Sequence, residues 1–218
     1  MSFTYSGMKT AIQNYMDSSE TTFTNTLDTF IKQAENRIFN TIELNVFRKN
    51  VTGTASSGTP YLSSPSDFVA PLSLAVLNSD SEYTYLLLKH PSFMRNYIKT
   101  AATTGVPKYY GQFDEDTFIL APTPNANLTF ELHYLYQPTS LTAAGDSGTT
   151  WISDNTPDLL LYGSLVEASI FLKQDLNETN MFEQRFQENL VRVTNLMEGR
   201  STRDENRFDK QRGATATQ

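Results

Sequence analysis

The chain has 218 residues, of which 39% are hydrophobic and 12% aromatic, enough to build a substantial core. Its formal net charge is −7, which argues against unaided nucleic-acid binding, because phosphate neutralisation needs a Lys/Arg surplus on at least one face. There is no cysteine, so disulfide frameworks, thiolate zinc sites and cysteine nucleophiles are all excluded.

At the N-terminus, Met1-Ser2-Phe3-Thr4-Tyr5 lacks the charged and apolar regions of a signal peptide. A first helix is expected over Ser6–Met16, broken by Asp17-Ser18-Ser19. A second is expected over Thr24–Leu44, where Leu27, Phe30, Ile31, Ala34, Ile38 and Ile42 recur at three- and four-residue steps. Lys32, Glu35 and Asn36 fall outside that apolar stripe.

The period then changes. Val46–Ser56, Ser73–Leu77, Tyr83–Lys89, Tyr109–Phe113, Phe118–Leu120 and Leu128–Tyr136 read as strands, with a short helix over Ser92–Thr100. In the last strand Leu128, Phe130, Leu132, Tyr134 and Tyr136 alternate with Thr129, Glu131, His133 and Leu135, the pattern of a half-buried antiparallel strand. After a linker at Gly145–Thr150, Thr156 and Pro157 open a helix that is apolar nearly all round and so innermost. A final helix, Glu178–Glu198, ends at Gly199, a left-handed C-terminal stop. Arg200–Gln218 contains one large hydrophobe, Phe208, and should be a flexible tail.

The expected fold class is therefore α+β. An antiparallel four-helix bundle is built from residues 1–44 and 156–199, a β-module spanning 45–155 is inserted in it, and an extended tail covers 200–218. No stretch approaches the roughly 18 apolar residues of a membrane span.

Chemistry is sparse. His90 and His133 sit outside any motif that pairs them with a nucleophile or ligand, and Asp114-Glu115-Asp116 lacks the spaced oxygens of a calcium loop. No phosphate cradle, nucleophile elbow or zinc pair is present, so no catalytic residue, metal or cofactor is assigned. Tyr109, Tyr110 and Trp151 are the candidates for a carbohydrate site.

Several strings carry a family resemblance. Phe30-Ile31-Lys32-Gln33-Ala34-Glu35-Asn36-Arg37-Ile38 resembles the second helix of bacteriophage neck proteins, the head-to-tail adaptors below the portal (the tail-tubular-A-like proteins of podoviruses). Ser64-Pro65-Ser66-Asp67-Phe68, Gly105-Val106-Pro107-Lys108-Tyr109-Tyr110 and Pro122-Thr123-Pro124 are similar to that group's loops, and Pro157–Ala168 to its third helix. The resemblance implies a structural, non-enzymatic virion protein, made in the host cytoplasm. It implies a homo-oligomeric ring of twelve between the portal and a nozzle, tube or fibre protein, with DNA passing through the lumen. It also implies that the tail docks on the portal, and the side-chain chemistry of Arg200, Arg203, Arg207, Phe208, Lys210 and Arg212 makes them the candidate contacts. The alternative is a nozzle or fibre-attachment component whose β-module binds protein or glycan.

Overall fold

The computed structural model describes residues 2–42, 45–77, 82–98 and 103–213, and from residue 198 onward the backbone alone. Contacts divide the chain into a helical unit, Met1–Asn45 with Thr139–Gln218, and a β-unit, Val46–Pro138. The molecule is mixed α and β, with antiparallel sheets.

Helix α1, Tyr5–Met16, starts on Thr4, whose side chain accepts the Gly7 N–H at 3.1 Å, and stops at Asp17 in the left-handed region (φ +46°). Its first turn is tied to the segment that precedes the C-terminal helices: Tyr5 N–H donates to Gly148 O and Ser6 N–H to Asp146 O, both at 3.0 Å. The helix expected from Thr24 begins instead at Leu27 as α3, Leu27–Thr41, and an unexpected short helix, α2, Thr21–Thr24, precedes it. The physical cause is a run of threonines. Thr24 Oγ1 donates to Thr21 O and Thr26 Oγ1 to Thr22 O, so hydroxyls compete for the carbonyls a continuous helix would use. α3 ends at Thr41, where Ile42 turns extended, short of the expected Leu44, which itself lies outside the described residues.

The β-unit contains β1 (Arg48–Ala55), β2 (Tyr61–Ser63), β3 (Phe68–Leu77), β4 (Tyr83–Tyr85) and β5 (Leu87–Leu88). Helix α4 (Pro91–Tyr97) follows, then β6 (Thr104–Gly105), β7 (Tyr109–Gln112), β8 (Thr117–Ala121), β9 (Thr123–Pro124) and β10 (Leu128–Tyr136). One sheet runs β1-β10-β3-β4, all antiparallel; a second runs β2-β8-β7-β5, where β5 pairs parallel to β7. β6 and β9 form a small parallel pair. Leu74, Val76, Phe130 and Leu132 from the first sheet share one core with Leu62, Tyr110, Phe118 and Leu120 from the second. β10 is central because its alternation gives it a complete apolar face. At Gly111 a Cβ would lie 2.5 Å from Lys89 O, so only glycine lets β7 approach the end of β5 this closely.

The chain returns to the helical unit through a 3₁₀ turn at Leu141–Ala143 and α5, Trp151–Asn155, opened by a capping box between Thr150 and Ser153. α6, Pro157–Phe171, is buried on nearly every side, and α1, α3 and α7 (Leu176–Gly213) each pack on it. Thr156 is both the C-cap of α5 and the expected N-cap of α6, its carbonyl accepting the Leu160 N–H at 3.2 Å, but its hydroxyl turns back to Ile152 O and does not cap the α6 backbone. The point of closest approach is Gly163. A Cβ there would lie 3.0 Å from Ala34 Cβ and 3.0 Å from the Phe186 ring, so α3 and α7 both rest on its bare backbone.

The stop expected at Gly199 and the extended tail expected from Arg200 are corrected by α7, which is helical through Gly213. A single helical glycine costs only about 1 kcal/mol. The preceding helix supplies a nucleus, and the following sequence has no proline and opposite charges three or four apart, as in Arg200/Asp204 and Asp209/Arg212. Residues 214–218 of the tail lie outside the described residues.

Gly163→Val should destabilise the helical unit by about 1–3 kcal/mol through overpacking. Chemical unfolding followed by circular dichroism checks this, and a variant as stable as the parent would show that α3 and α7 do not need the bare site.

Candidate functional site

The residues that carried the family resemblance turn out to be joints. On α3, Ala34 contacts Gly163. Arg37 forms a bidentate pair with Glu183 on α7, with Nη1 2.8 Å from Oε2, while its guanidinium carbon lies 4.3 Å from the Phe186 ring centroid. The Arg37 bonds hold the Glu183 carboxyl below the ordinary carboxylate range. Glu35, expected outside the apolar stripe, is buried at 8% exposure. Its Oε1 accepts the Leu141 N–H at 2.8 Å and so fixes the 3₁₀ turn by which the chain re-enters the helical unit. Its Oε2 is buried without a hydrogen-bond partner, and burial pushes its pKa upward against the Ser140 and Leu141 hydrogen bonds and the Lys32 charge.

The loop strings act in the same way in the β-unit. Asp67 takes the Lys49 ammonium and the Tyr134 hydroxyl (2.8 Å), bridging β1 and β10 at the start of β3. Lys49 holds the Asp67 carboxyl low, while burial and the Asp67 bond push Tyr134 up to about 12. The Gly105 and Pro124 strings are partners: β6 and β9 pair Thr104 with Thr123 and Gly105 with Pro124.

Among the chemistry candidates, His90 caps α4, its Nδ1 accepting the Ser92 N–H at 3.2 Å. His133 is half-buried on β10 opposite Asn50 and Ser73. Asp114–Asp116 is the exposed turn of the β7–β8 hairpin. Of the carbohydrate candidates, Tyr110 is buried against Phe118, Tyr109 packs edge-on to Phe93 and Tyr97, and Trp151 opens α5 in the helical unit. Among the described residues no group of His, Asp or Glu could hold a metal ion, and no helix is long and apolar enough to cross a membrane.

Two features stand apart from these joints. One is the helical extension that carries all six proposed docking positions. Arg200, Arg203, Arg207 and Lys210 recur at three- and four-residue steps, within an arc of roughly 80° on an ideal helix. On the same ideal helix Asp204 flanks the basic arc about 40° from Arg200, Glu198, Glu205 and Asp209 fall on the opposite side with Arg212 beside them, and Phe208 lies between. The other surface is in the β-unit, where Tyr83, Tyr85, Leu87 and Leu88 are exposed by 50–66%. The sequence reading missed this second feature, although its signal was available: between Glu82 and Asp114 there is no carboxylate, but Lys89, Arg95, Lys99 and Lys108 are present.

With the geometry dominated by joints and exposed faces, comparison decides the family. The SU10 adaptor protein family matches residues 3–213. The chain belongs to the SU10 adaptor protein family. It is thus a bacteriophage adaptor, a structural component of the virion that engages other head and tail proteins. No curated protein sequence matches it.

Glu35 and Glu183 pull the stability of this adaptor in opposite directions with pH. Glu183 is depressed when folded, so its contribution is present above the unfolded carboxylate pKa and is lost on acidification. Glu35 is raised, so the fold loses stability as pH rises from the unfolded value through the folded one. Glu35→Gln should remove that second slope in urea titrations across pH ~4–7. Glu35→Ala should cost about 1–3 kcal/mol by orphaning the Leu141 N–H. An unchanged pH profile in Glu35→Gln would refute the assignment.

Proposed function

We propose that this adaptor sits at the phage neck, in the manner of the podoviral tail-tubular-A-like proteins, as a ring of twelve between the portal and the nozzle, tube or fibre components. Its body is the antiparallel bundle of N- and C-terminal helices; the inserted β-module faces the distal tail, and the segment 200–218 docks on the portal. Genomic DNA passes through the lumen as cargo, and the particle is assembled in the host cytoplasm.

The observation that carries this reading is the continuation of α7. A helix of roughly 20 Å beyond Gly199 bears a basic stripe, while residues 1–45 and 139–197 hold thirteen carboxylates against six Lys or Arg. A basic helical arm on an acidic body is suited to an acidic partner and is repelled less by it than the body would be. Arg200, Arg203, Arg207, Lys210 and Arg212 supply the charge-assisted bonds, and Phe208 the apolar anchor. Side-by-side subunits in a closed ring also require heterologous interfaces, with two different faces of each copy in contact.

Deleting residues 199–218 should leave the thermal unfolding transition of the body within about 3 °C of the parent. The same deletion should abolish the ring on purified portal in negative-stain images. A truncated protein that still decorates portals normally would exclude the docking role.

A further inference from the structure

The β-unit carries a face that its own fold leaves open. β4 and β5 follow one another along the chain and occupy the outer edge of each large sheet among the described residues. Tyr83, Tyr85, Leu87 and Leu88 stand out from this run at 50%, 66%, 60% and 57% exposure. α4 extends the patch with Phe93 and Tyr97, which stack at 6.1 Å. Its charge is divided: Lys89 and Arg95 lie on the α4 side, whereas exposed Glu82 precedes Tyr83 and Glu131 Oε2 accepts the Tyr83 hydroxyl at 2.9 Å. Lys89 Nζ lies 5.6 Å from the Phe93 ring, and Arg95 donates to the Tyr61 hydroxyl at 3.2 Å. Exposed leucines in this number do not suit a phosphate backbone; aromatic and aliphatic anchors with a charged rim suit a protein.

The same chain presents the complement. At the turn between α6 and α7, Ile170, Phe171 and Leu176 are exposed by 59%, 43% and 77%. Asp175 and Glu178 are exposed beside them, Glu167 is half-buried one turn earlier, and Lys173 is the one cation of the group. An apolar patch that is basic along its β5–α4 side and an apolar patch with an acidic rim are thus carried on different elements of one molecule. We propose that they are the two halves of a subunit interface: the β4–β5–α4 face of one copy docks on the α6–α7 turn of a second. Because the two patches differ, the contact is heterologous and each copy can both give and receive, which is how rings grow. The pairing rests on the ring reading above only for its closure.

The absence of cysteine makes the test clean. Leu88→Cys and Leu176→Cys both fall on exposed side chains, so folding is expected to be unaffected, and circular dichroism verifies it. Under mild oxidation of concentrated protein, mixing the two variants should give a disulfide-linked dimer, and the double variant a ladder. Each single variant should match a control thiol at exposed Glu115. Adding Lys89→Glu to the Leu88→Cys partner should cut the mixed-dimer rate about fivefold. Glu178→Lys in the Leu176→Cys partner should restore it; Glu178 is chosen because Asp175 also accepts the Asn177 N–H. Dimers of Leu88→Cys alone would overturn the proposal in favour of a like-with-like contact. A mixed rate equal to the control overturns it outright. A duplex of about 20 base pairs bound by the parent but not by Lys89→Glu, without cross-linking, would reassign the face to nucleic acid. Unlinked cysteines in a chain that still forms rings on portal would sink this interface and spare the neck reading, whereas linked chains that never engage portal would do the reverse.

Discussion

The approach of three helices at Gly163 governs the helical unit. α6 has apolar residues on every side, so amphipathicity alone does not tell it which partner goes where. The missing side chain does. It leaves one place where α3 can set Ala34 and α7 can set Phe186 against the same stretch of backbone. Once α7 lies there, Arg37 reaches Glu183 and covers the Phe186 ring. Magnitudes rank the two effects. Burying Phe186 and its neighbours contributes about 1.5–3 kcal/mol per side chain, whereas an ion pair a third exposed contributes about 1 kcal/mol at most. Packing holds the helices together, and the ion pair selects their register.

Glu35 follows the same logic of position. A buried carboxylate with one unpaired oxygen is costly, and nothing in the helix itself requires it. Its use is at the far end of the bond, where the chain has just left a β-unit of more than ninety residues and must re-enter the helical unit at one place. Asp67 and the β6–β9 pair act likewise in the β-unit, each fixing a point where the chain changes direction. This explains why the strings that resemble phage neck proteins contain no catalytic grouping: they mark returns of the chain.

What could be read from the sequence follows from the range of the physics. α1, α6 and β10 were legible because their patterns are complete within one segment. The break between α2 and α3 was not, because threonine hydroxyls competing for carbonyls leave the apolar stripe intact. β2, β6 and β9 escaped for the reason that two or three residues carry no period; only their partners make them strands. Glu35 was placed on the polar side because a helical wheel shows which residues differ from the stripe, not which distant N–H will need an acceptor. Of the two proposed interaction surfaces, the basic residues after Gly199 were visible as composition. The open β4–β5 edge was not, since alternating Tyr and Leu look the same whether or not a further strand covers them.

The continuation of α7 changes the physics of any docking by its last residues. A segment that must order on contact forfeits about 1–2 kcal/mol per residue of backbone entropy, which over a dozen residues would consume most of a typical interface energy. A segment already helical avoids that loss, and its selectivity then comes from which stripe faces the partner. In sequence, Arg200, Arg203, Arg207 and Lys210 recur at three- and four-residue steps, so on an ideal helix they share one arc, with Asp204 at its edge. The same helix is seated through Phe186 at Gly163. The glycine that fixes how α7 meets the body therefore acts on the same continuous helix from which residues 198–213 extend.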